Sequence, residues 1–207
     1  MPITIKTKKD IENMRIAGQK AAAVLNMLDK YVVPGITTEE LDKIAFDYIT
    51  RDLKCIPANV GYNGYPKTLC TSLNSVICHG IPSETQTLKD GDILNIDVTV
   101  IENKWHGDTS KMYAVGKIQN FAKRLINVTQ ECMYQGIKKV RPGEKLGTIG
   151  SAIQKHAENN HYSVVRDYCG HGIGKVYHEE PQVLHYGNPG EGLMLEEGMC
   201  FTIEPMI

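Results

Sequence analysis

The sequence predicts an α+β protein built from two related halves. In each half, two stretches of helical periodicity flank a V-x-P-G segment, "VVPG" at 32–35 and "VRPG" at 140–143, and the two prolines are 108 residues apart. β-rich sequence punctuated by glycine follows each helix pair, at 55–115 and 163–207. Such self-similarity indicates an internal duplication. The alternative is coincidence between two ordinary helical hairpins.

The helices of the first half are predicted over 8–31 and from a cap at Thr37. Apolar side chains recur there at helical spacing, and Thr37 with Glu40 makes a capping box for the second helix. In the second half the same pattern covers 119–139 and a helix that begins near Leu146. Two helix pairs packed on shared β-structure would place a site at the junction of the halves, where pockets tend to form.

The composition favours a globular, cytoplasmic protein. Of the 207 residues, 42% are hydrophobic, and 23 basic side chains balance 24 acidic ones without a basic run typical of nucleic-acid binding. No segment approaches the ~18 continuous apolar residues of a membrane span, and "MPITIKTKKD" lacks the apolar core of a signal peptide. The cysteines form no C-x-x-C pair, which favours reduced thiols. We therefore expect neither a membrane nor a specific nucleic-acid partner.

A predicted β-hairpin at 92–112, "DILNIDVTVIENKWHGDTSKM", contains Asp97 and Asp108 although Asp is depleted in strands. With Glu102 and Asn103 as the turn, the two carboxylates would lie directly opposite one another on one face, with Cβ atoms roughly 5 Å apart. Like charges so placed are destabilising unless one is protonated or a cation lies between them. The hairpin therefore predicts a metal ion, with a one-residue register error or a water-exposed face as the alternative.

The second half contributes further candidate ligands. In "YCGHGIGKVYHEEPQVLHYG" (168–187), glycines would let the backbone turn tightly around His171, and His178 follows beside two glutamates. "GMCFTIEPMI" (198–207) alternates as a strand, with Glu204 on its polar face. An ordinary turn histidine and an edge-strand charge are the alternatives. With the two aspartates, this oxygen-rich set suits one or two divalent ions such as Mn, Fe, Co, Zn or Mg, a combination that indicates hydrolysis.

With these residues assembled, the chain resembles the type I methionine aminopeptidases, which have the pita-bread fold. The resemblance covers 1–207 and rests on "SLNSVICHGIP" (72–82), "DILNIDVTVIENKWHGDTSKMYAVG" (92–116), "GHGIGKVYHEEPQV" (170–183) and "EEGMCFTIEPM" (196–206). It implies a single metalloaminopeptidase domain with halves of about 1–116 and 117–207. A curved, mainly antiparallel sheet covered by two helix pairs would form its framework.

The resemblance implies removal of the initiator methionine from nascent polypeptides whose second residue is small. Asp97, Asp108, His171 and Glu204 match the family's ligands for two divalent metals (Co, Mn, Fe or Zn), and a hydroxide bridging the metals would attack the scissile amide. Glu204 would also transfer protons. His79 and His178 match histidines that contact the substrate, the first near the scissile nitrogen and the second at the carbonyl oxygen, which it would polarise.

Aromatic rings and a thiol would form the methionine pocket, because such groups suit a thioether. The substrate-binding residues implied by the resemblance are Tyr62, Tyr65, Cys70 and Tyr177, beside the two substrate histidines. The alternative is ordinary core. The remaining histidines match no family position and are expected to be surface or structural: His106, His156, His161 and His185. The partner would be the N-terminal methionine of a nascent peptide, close to the ribosome, and the protein would be a monomer.

Three features depart from the family. Asn63 stands where bacterial relatives commonly have His, and Tyr177 where Phe is common, and both would tune affinity. Family members continue past "EPM" into strands that carry a second bridging glutamate, whereas this sequence stops at Ile207. If the polypeptide is complete, we expect an exposed edge at 199–207, weaker metal binding and low or absent activity. Trimming of a longer chain at its C-terminus is the favoured explanation.

Two other functions remain open. A proline-directed aminopeptidase or dipeptidase of the same fold would use a similar ligand set. The "TLCTSLNSVICHGIP" stretch (68–82) and the lack of an additional N-terminal domain favour the methionine enzyme. A non-catalytic binding module is the second alternative, and the retained ligand and substrate residues argue against it.

Overall fold

The computed structural model describes residues 3–207, which form two compact units. One comprises Glu12–Lys123, and the other comprises the residues up to Ile11 together with Arg124–Ile207. Each unit combines α-helices with antiparallel strands, as expected for an α+β chain. No helix among residues 3–207 is long and apolar enough to cross a membrane. The single domain with halves near 1–116 and 117–207 stays a prediction.

The larger sheet belongs to the unit Glu12–Lys123. Helices α1 (Lys8–Leu28) and α2 (Thr38–Asp47) precede it, and α2 continues into a π-helical turn (Tyr48–Asp52). The strands are β1 (Ile56–Pro57), β2 (Leu69–Leu73), β3 (Ile93–Glu102) and β4 (Trp105–Ala114), with a 3-10 turn (Tyr62–Gly64) between β1 and β2. β4 pairs with β3 along one edge. On the other edge of β3, β2 pairs with residues 94–98 and β1 pairs with residues 100–101.

Alternate residues of β3 form the core of this unit. Leu94, Ile96, Val98 and Val100 are buried with the apolar residues of α1 and α2 in one cluster. Successive side chains of a strand point to opposite faces, so Asp97, midway along β3, projects from the face away from that cluster. The helices therefore support one side of the sheet and leave the other side for polar side chains.

The start of α2 confirms the predicted capping box. The Thr37 hydroxyl accepts the Glu40 backbone N–H at 3.1 Å, and the Glu40 carboxylate accepts the Thr37 backbone N–H at 2.8 Å. Two otherwise unpaired donors of the first helical turn are satisfied in this way.

The β3–β4 hairpin corrects the predicted register. Asn103 and Lys104 form the turn, with φ of 48° and 71°, as a two-residue type I′ turn requires. Asp108 consequently lies opposite Thr99 rather than opposite Asp97. The shift is two residues, and a two-residue shift preserves the face because the side-chain period of a strand is two. The two aspartates therefore share a face as diagonal neighbours.

The second unit contains α3 (Asn120–Ile137), α4 (Leu146–Asn159), β5 (Gly170–Gly172) and β6 (Glu179–Val183), with β5 and β6 paired antiparallel. The first residues of α3 belong to the other unit. One apolar cluster joins the helices to the strands, and its buried members include Val128, Cys132, Ile149, Ile153, Val183 and Leu195.

The two V-x-P-G turns make equivalent hydrogen bonds, which supports the predicted duplication. Gly35 donates its N–H to the Leu88 carbonyl, and Gly143 donates to the Leu195 carbonyl, both at 2.8 Å. In return, the N–H groups of Leu88 and Leu195 donate to the carbonyl of the residue after each glycine, at 2.8 and 2.7 Å. Both glycines have positive φ, 98° and 84°. The same turn thus packs on a buried leucine twice in one chain.

The segment 199–207 is not the continuous strand that its alternation predicts. Its only β-bridge among residues 3–207 joins Phe201 to Gly172. The predicted faces are nevertheless correct, since Met199 and Phe201 pack against the apolar cluster and Glu204 belongs to the other alternating set. A strand needs a partner along its length, and β5 offers only three residues.

Candidate metal and active site

Asp97 and Asp108 are the candidate ligands of the unit Glu12–Lys123. The Thr99 hydroxyl donates a hydrogen bond to Oδ1 of Asp108 at 2.9 Å. Cys70, on β2, lies opposite Asp97 in the sheet register. Burial, reinforced by the neighbouring Asp97 carboxylate, raises the pKa of the Cys70 thiol to about 12. Cys70 is therefore a neutral thiol beside the two carboxylates.

The other substrate-pocket candidates of this unit lie on turns around β2. The Tyr65 hydroxyl lies 2.9 Å from the Leu69 carbonyl oxygen and 3.1 Å from that of Gly80. Burial, followed by the effect of neighbouring Cys70, raises the pKa of Tyr65. Tyr62 and His79 are exposed, and His79 has a positive φ of 54°. Tyr65 thus ties the turn before β2 to the loop that carries His79.

His171 lies on β5 rather than in the tight turn that its glycine neighbours predicted. Neither Gly170 nor Gly172 has a positive φ. A Cβ on Gly170 would lie 2.3 Å from the Thr202 carbonyl oxygen, and a Cβ on Gly172 would lie 2.1 Å from the Glu180 carbonyl oxygen. The glycines are required because backbone approaches closely on both sides of the histidine.

His171 presents a ring nitrogen suited to a metal. Its Nδ1 lies 2.9 Å from the Gly172 carbonyl oxygen, and because a carbonyl can only accept, Nδ1 donates. In the neutral form of the ring, Nε2 is then the nitrogen with the lone pair. A hydrogen bond from one ring nitrogen to a carbonyl, which leaves the other nitrogen for the metal, is typical of metal-binding histidines. Oε1 of Glu204 lies 3.7 Å from Nε2, beyond hydrogen-bond distance. With the imidazole neutral, both atoms are electron-pair donors, and a cation can bind to both.

Thr202 connects these two candidate ligands. Its hydroxyl oxygen accepts the His171 backbone N–H at 2.9 Å and donates to Oε1 of Glu204 at 2.5 Å. One side chain therefore sets the position of the strand that carries the imidazole and the orientation of the carboxylate.

Three rings of the second unit form one cluster. His178 lies over Tyr177 with ring centroids 4.2 Å apart and an interplanar angle of 22°. The ring centroids of His178 and His171 are 4.1 Å apart, and those of His171 and Tyr177 are 6.1 Å apart. The structure therefore brings together the predicted ligand, the predicted carbonyl-polarising histidine and one predicted pocket residue.

The four histidines without a family match occupy different environments. His156 contacts the Glu131 carboxylate at 2.9 Å, His106 is buried on β4, and His161 is exposed after α4. His185 is fully buried, and its Nε2 accepts the Glu204 backbone N–H at 3.1 Å. Burial lowers the pKa of His185 to about 4. It is therefore neutral near pH 7.

Each unit brings together its own pair of candidate ligands. Among residues 3–207, the structure contains no group of three or more His, Cys, Asp or Glu side chains that could hold a metal. The pairs are Asp97 with Asp108, and His171 with Glu204. Carboxylates and imidazoles are ligands that divalent transition metals accept, so these residues fit such an ion.

Sequence reasoning missed three polar residues beside these ligands. Thr99 and Thr202 were detectable, because each precedes or follows a candidate acid on the same face of an alternating segment. His185 had no such signal, since its contact with the Glu204 backbone joins positions 19 residues apart through an irregular connection.

The chain belongs to metallopeptidase family M24, whose sequence profile matches residues 12–207. Methionine aminopeptidases are among its relatives. The enzyme of that name from Salmonella typhimurium is 59% identical over all 207 residues, which cover 78% of that relative. The crystal structure of methionine aminopeptidase from Rickettsia prowazekii covers 99% of this chain at a TM-score of 0.97 and 53% identity, and 82% of that chain is matched. The predicted family and pita-bread fold are confirmed.

The proline-directed relatives share the fold. The structure of the Xaa-Pro dipeptidase from Bacillus anthracis matches 97% of this chain, with a TM-score of 0.81 and 22% identity. The matched part is 54% of the dipeptidase chain. Similarity at that identity shows architecture alone. The relatives at 55% and 59% identity do bear on activity, and both are named methionine aminopeptidase.

Proposed function

We propose that this protein removes the N-terminal methionine from polypeptides with a small second residue, using divalent metals. Family membership and 59% identity to a methionine aminopeptidase support the reaction class and substrate. The observation that carries the proposal is the geometry around His171, whose Nδ1 is committed to a carbonyl while its Nε2 faces Oε1 of Glu204. An imidazole so oriented is prepared for a metal before any metal arrives.

The proposed ligands are Asp97, Asp108, His171 and Glu204, for two ions among Co, Mn, Fe and Zn. The shared face of the two aspartates and the His171–Glu204 pair support this set. When bound, such ions supply hydroxide at neutral pH and stabilise negative charge on the scissile carbonyl. The chain's own carboxylates would also attract the positively charged amino terminus of the substrate.

The remaining residues bind, orient and move protons. His178 would donate a hydrogen bond to the scissile carbonyl oxygen, with its ring held against Tyr177. His79 would contact the substrate near the scissile nitrogen, and Glu204 would carry the proton from the attacking water to the leaving amine. The methionine side chain would lie among apolar and weakly polar groups, for which we propose Tyr62, Tyr65, Cys70 and Tyr177.

The proposed partner is the amino terminus of a nascent chain near the ribosome. We propose a monomer in the cytoplasm, on the basis of the similarity to bacterial methionine aminopeptidases. Analytical sedimentation of the purified chain tests whether it is a monomer. A dimer at micromolar concentration would contradict it.

Peptide cleavage tests the function directly. The chain is stripped with a chelator, reloaded separately with Mn, Co, Fe or Zn, and incubated with Met-Ala-Ser and with Ala-Pro peptides. Release of free methionine that depends on metal supports the proposal. Cleavage of the Ala-Pro peptide alone would favour the proline-directed alternative, and no cleavage with any metal would favour a binding module. A His178→Ala variant that loses about 10²-fold in kcat with unchanged metal affinity would support its place at the carbonyl.

A further inference from the structure

His185 is a fully buried polar side chain with one hydrogen bond. Its Nε2 accepts the backbone N–H of Glu204 at 3.1 Å. Its Nδ1 has no hydrogen-bond partner among residues 3–207. A buried donor without a partner lowers stability, so an apolar side chain at this position would remove that cost. A histidine at this position is explained if its bond to Glu204 has a use.

The hydrogen bond determines the tautomer of His185. A backbone N–H can only donate, so Nε2 must be unprotonated and the proton must lie on Nδ1. An imidazolium would direct a second donor at the Glu204 N–H and break the contact. The ring therefore acts as a fixed acceptor, buried away from water, where hydrogen bonds are stronger than at the surface.

The backbone around His185 is itself held against α4. A Cβ on Gly150 would lie 2.4 Å from the Tyr186 carbonyl oxygen and 2.6 Å from the Leu184 carbonyl oxygen, so the helix and this segment are in direct backbone contact. The Gln154 side chain also accepts the Gly187 N–H at 3.1 Å. His185 thus extends from a support fixed to a helix and not from a free loop.

Glu204 is consequently held from two directions. Its backbone N–H is bound by His185, and its carboxylate accepts the Thr202 hydroxyl. The short pairing with β5 leaves the end of this segment without a regular ladder. The imidazole replaces the missing ladder bond at the residue whose carboxylate faces His171.

We propose that His185 is a positioning residue that fixes the backbone of Glu204, and through it the placement of the Glu204 carboxylate for metal binding and proton transfer. This inference rests on the proposed function and adds a residue to it. His185 touches neither substrate nor metal in this role. Its effect is to limit how far the carboxylate can move from Nε2 of His171.

The matched variants are His185→Gln and His185→Asn. The terminal amide of Gln reaches the position of Nε2 and can accept the Glu204 N–H, whereas the shorter Asn reaches only the position of Nδ1. Both are polar and neutral. We expect His185→Gln to keep the Co²⁺ dissociation constant within about threefold, and His185→Asn to raise it about tenfold or more. We expect kcat for Met-Ala-Ser to follow the same order, with KM little changed.

Calorimetric Co²⁺ titration and the visible spectrum of the Co²⁺-loaded chain provide the readouts, and thermal unfolding shows that each variant is folded. Rescue by Gln but not by Asn supports the inference. Equal Co²⁺ affinity and equal spectra in folded Gln, Asn and wild-type chains would overturn it. If the wild-type chain binds no Co²⁺ and releases no methionine, the proposed function fails instead.

A measurement on the wild-type chain covers the case in which His185→Asn does not fold. NMR of the uniformly ¹⁵N-labelled chain detects a coupling between Nε2 of His185 and the Glu204 amide nitrogen across the hydrogen bond. A coupling that persists when Zn²⁺ is added supports the positioning role. Loss of the coupling on Zn²⁺ binding would overturn it, because the bond would then be absent in the metal-bound form.

Discussion

The hydroxyl of Thr202 donates a hydrogen bond to Oε1 of Glu204 at an oxygen–oxygen distance of 2.5 Å. The same oxygen accepts the His171 backbone N–H. Polar partners of this kind set the orientation of metal ligands and contribute to their affinity. Thr202 would therefore orient the proposed ligands His171 and Glu204, although it is itself a poor ligand.

Replacing Thr202 by Val keeps the shape and removes the hydroxyl. We expect Thr202→Val to raise the dissociation constant for Co²⁺ or Mn²⁺ about tenfold or more, because the carboxylate loses its orienting donor. Isothermal titration calorimetry measures this change. Thr202→Ser is the control and should stay close to wild type, since it retains the oxygen. Equal affinities for the Val and Ser variants would show that the hydroxyl has no such role.

The two aspartates on the shared face should repel one another in the metal-free chain. We expect Asp97→Asn to stabilise the metal-free protein by about 0.2–1 kcal/mol, because one like charge is removed. The same variant should lose most of the stabilisation that metal gives, which for the wild type is about 2.7 kcal/mol at a hundredfold excess over Kd. Urea unfolding with and without Mn²⁺ measures both effects. A variant that gains as much from Mn²⁺ as the wild type would contradict Asp97 as a ligand.

The Glu102 carboxylate should stabilise the fold only above its pKa. The Lys20 ammonium donates to it at 2.7 Å and the Cys55 thiol at 3.2 Å. Lys20 chiefly, then Cys55, lowers the pKa of Glu102. A carboxylate with a lowered folded-state pKa contributes stability above its unfolded pKa of ~4.3, and loses it as the pH falls through the lower folded value.

Glu102→Gln should therefore lower the free energy of unfolding by about 0.5–1 kcal/mol at pH 7. The difference from the wild type should disappear in strong acid. Urea unfolding at a series of pH values measures it. Glu84, 80% exposed and 3.4 Å from Lys43, offers a control pair whose Gln substitution should change stability very little. A Glu102→Gln penalty that is the same at pH 7 and in acid would refute the charge-based explanation.

The duplicated turns should respond alike to substitution. Gly35 and Gly143 both have positive φ and open space where a Cβ would lie, so alanine at either position meets backbone strain without a clash. We expect each alanine variant to lose about 1–2 kcal/mol. Gly18, inside α1 with open space and no positive φ, is the control, and alanine there should stabilise by about 0.5–1 kcal/mol. Chemical denaturation of the three variants provides the comparison.

The helices and faces of this protein could be predicted from sequence because they depend on neighbours close in the chain. The capping box at Thr37 involves residues three apart, and the alternation around Asp97 needs only a period of two. Both predictions are confirmed. The hairpin register was wrong because a turn one residue later was equally compatible with the pattern, and only the backbone conformation of Asn103 and Lys104 distinguishes the two.

The features that could not be predicted from the sequence depend on contacts between segments that are distant in the chain. Whether 199–207 pairs as a strand is decided by the length of β5, and the importance of His185 is decided by a bond to Glu204 across an irregular connection. Neither has a local signature. The four ligand positions were reached through the hairpin acids and the family motifs, and their joint action on metal stays a prediction.

The glycines on either side of His171 restrict how this protein can be changed in the laboratory. A methyl group at Gly170 or Gly172 would lie within 2.3 Å of a backbone oxygen that cannot easily move. A mutant library intended to alter metal preference should therefore leave both positions unchanged and vary position 171 itself. On β5, only position 171 can therefore accept other side chains. A different candidate ligand can replace the imidazole at that position, but a ligand cannot be moved to either neighbouring position.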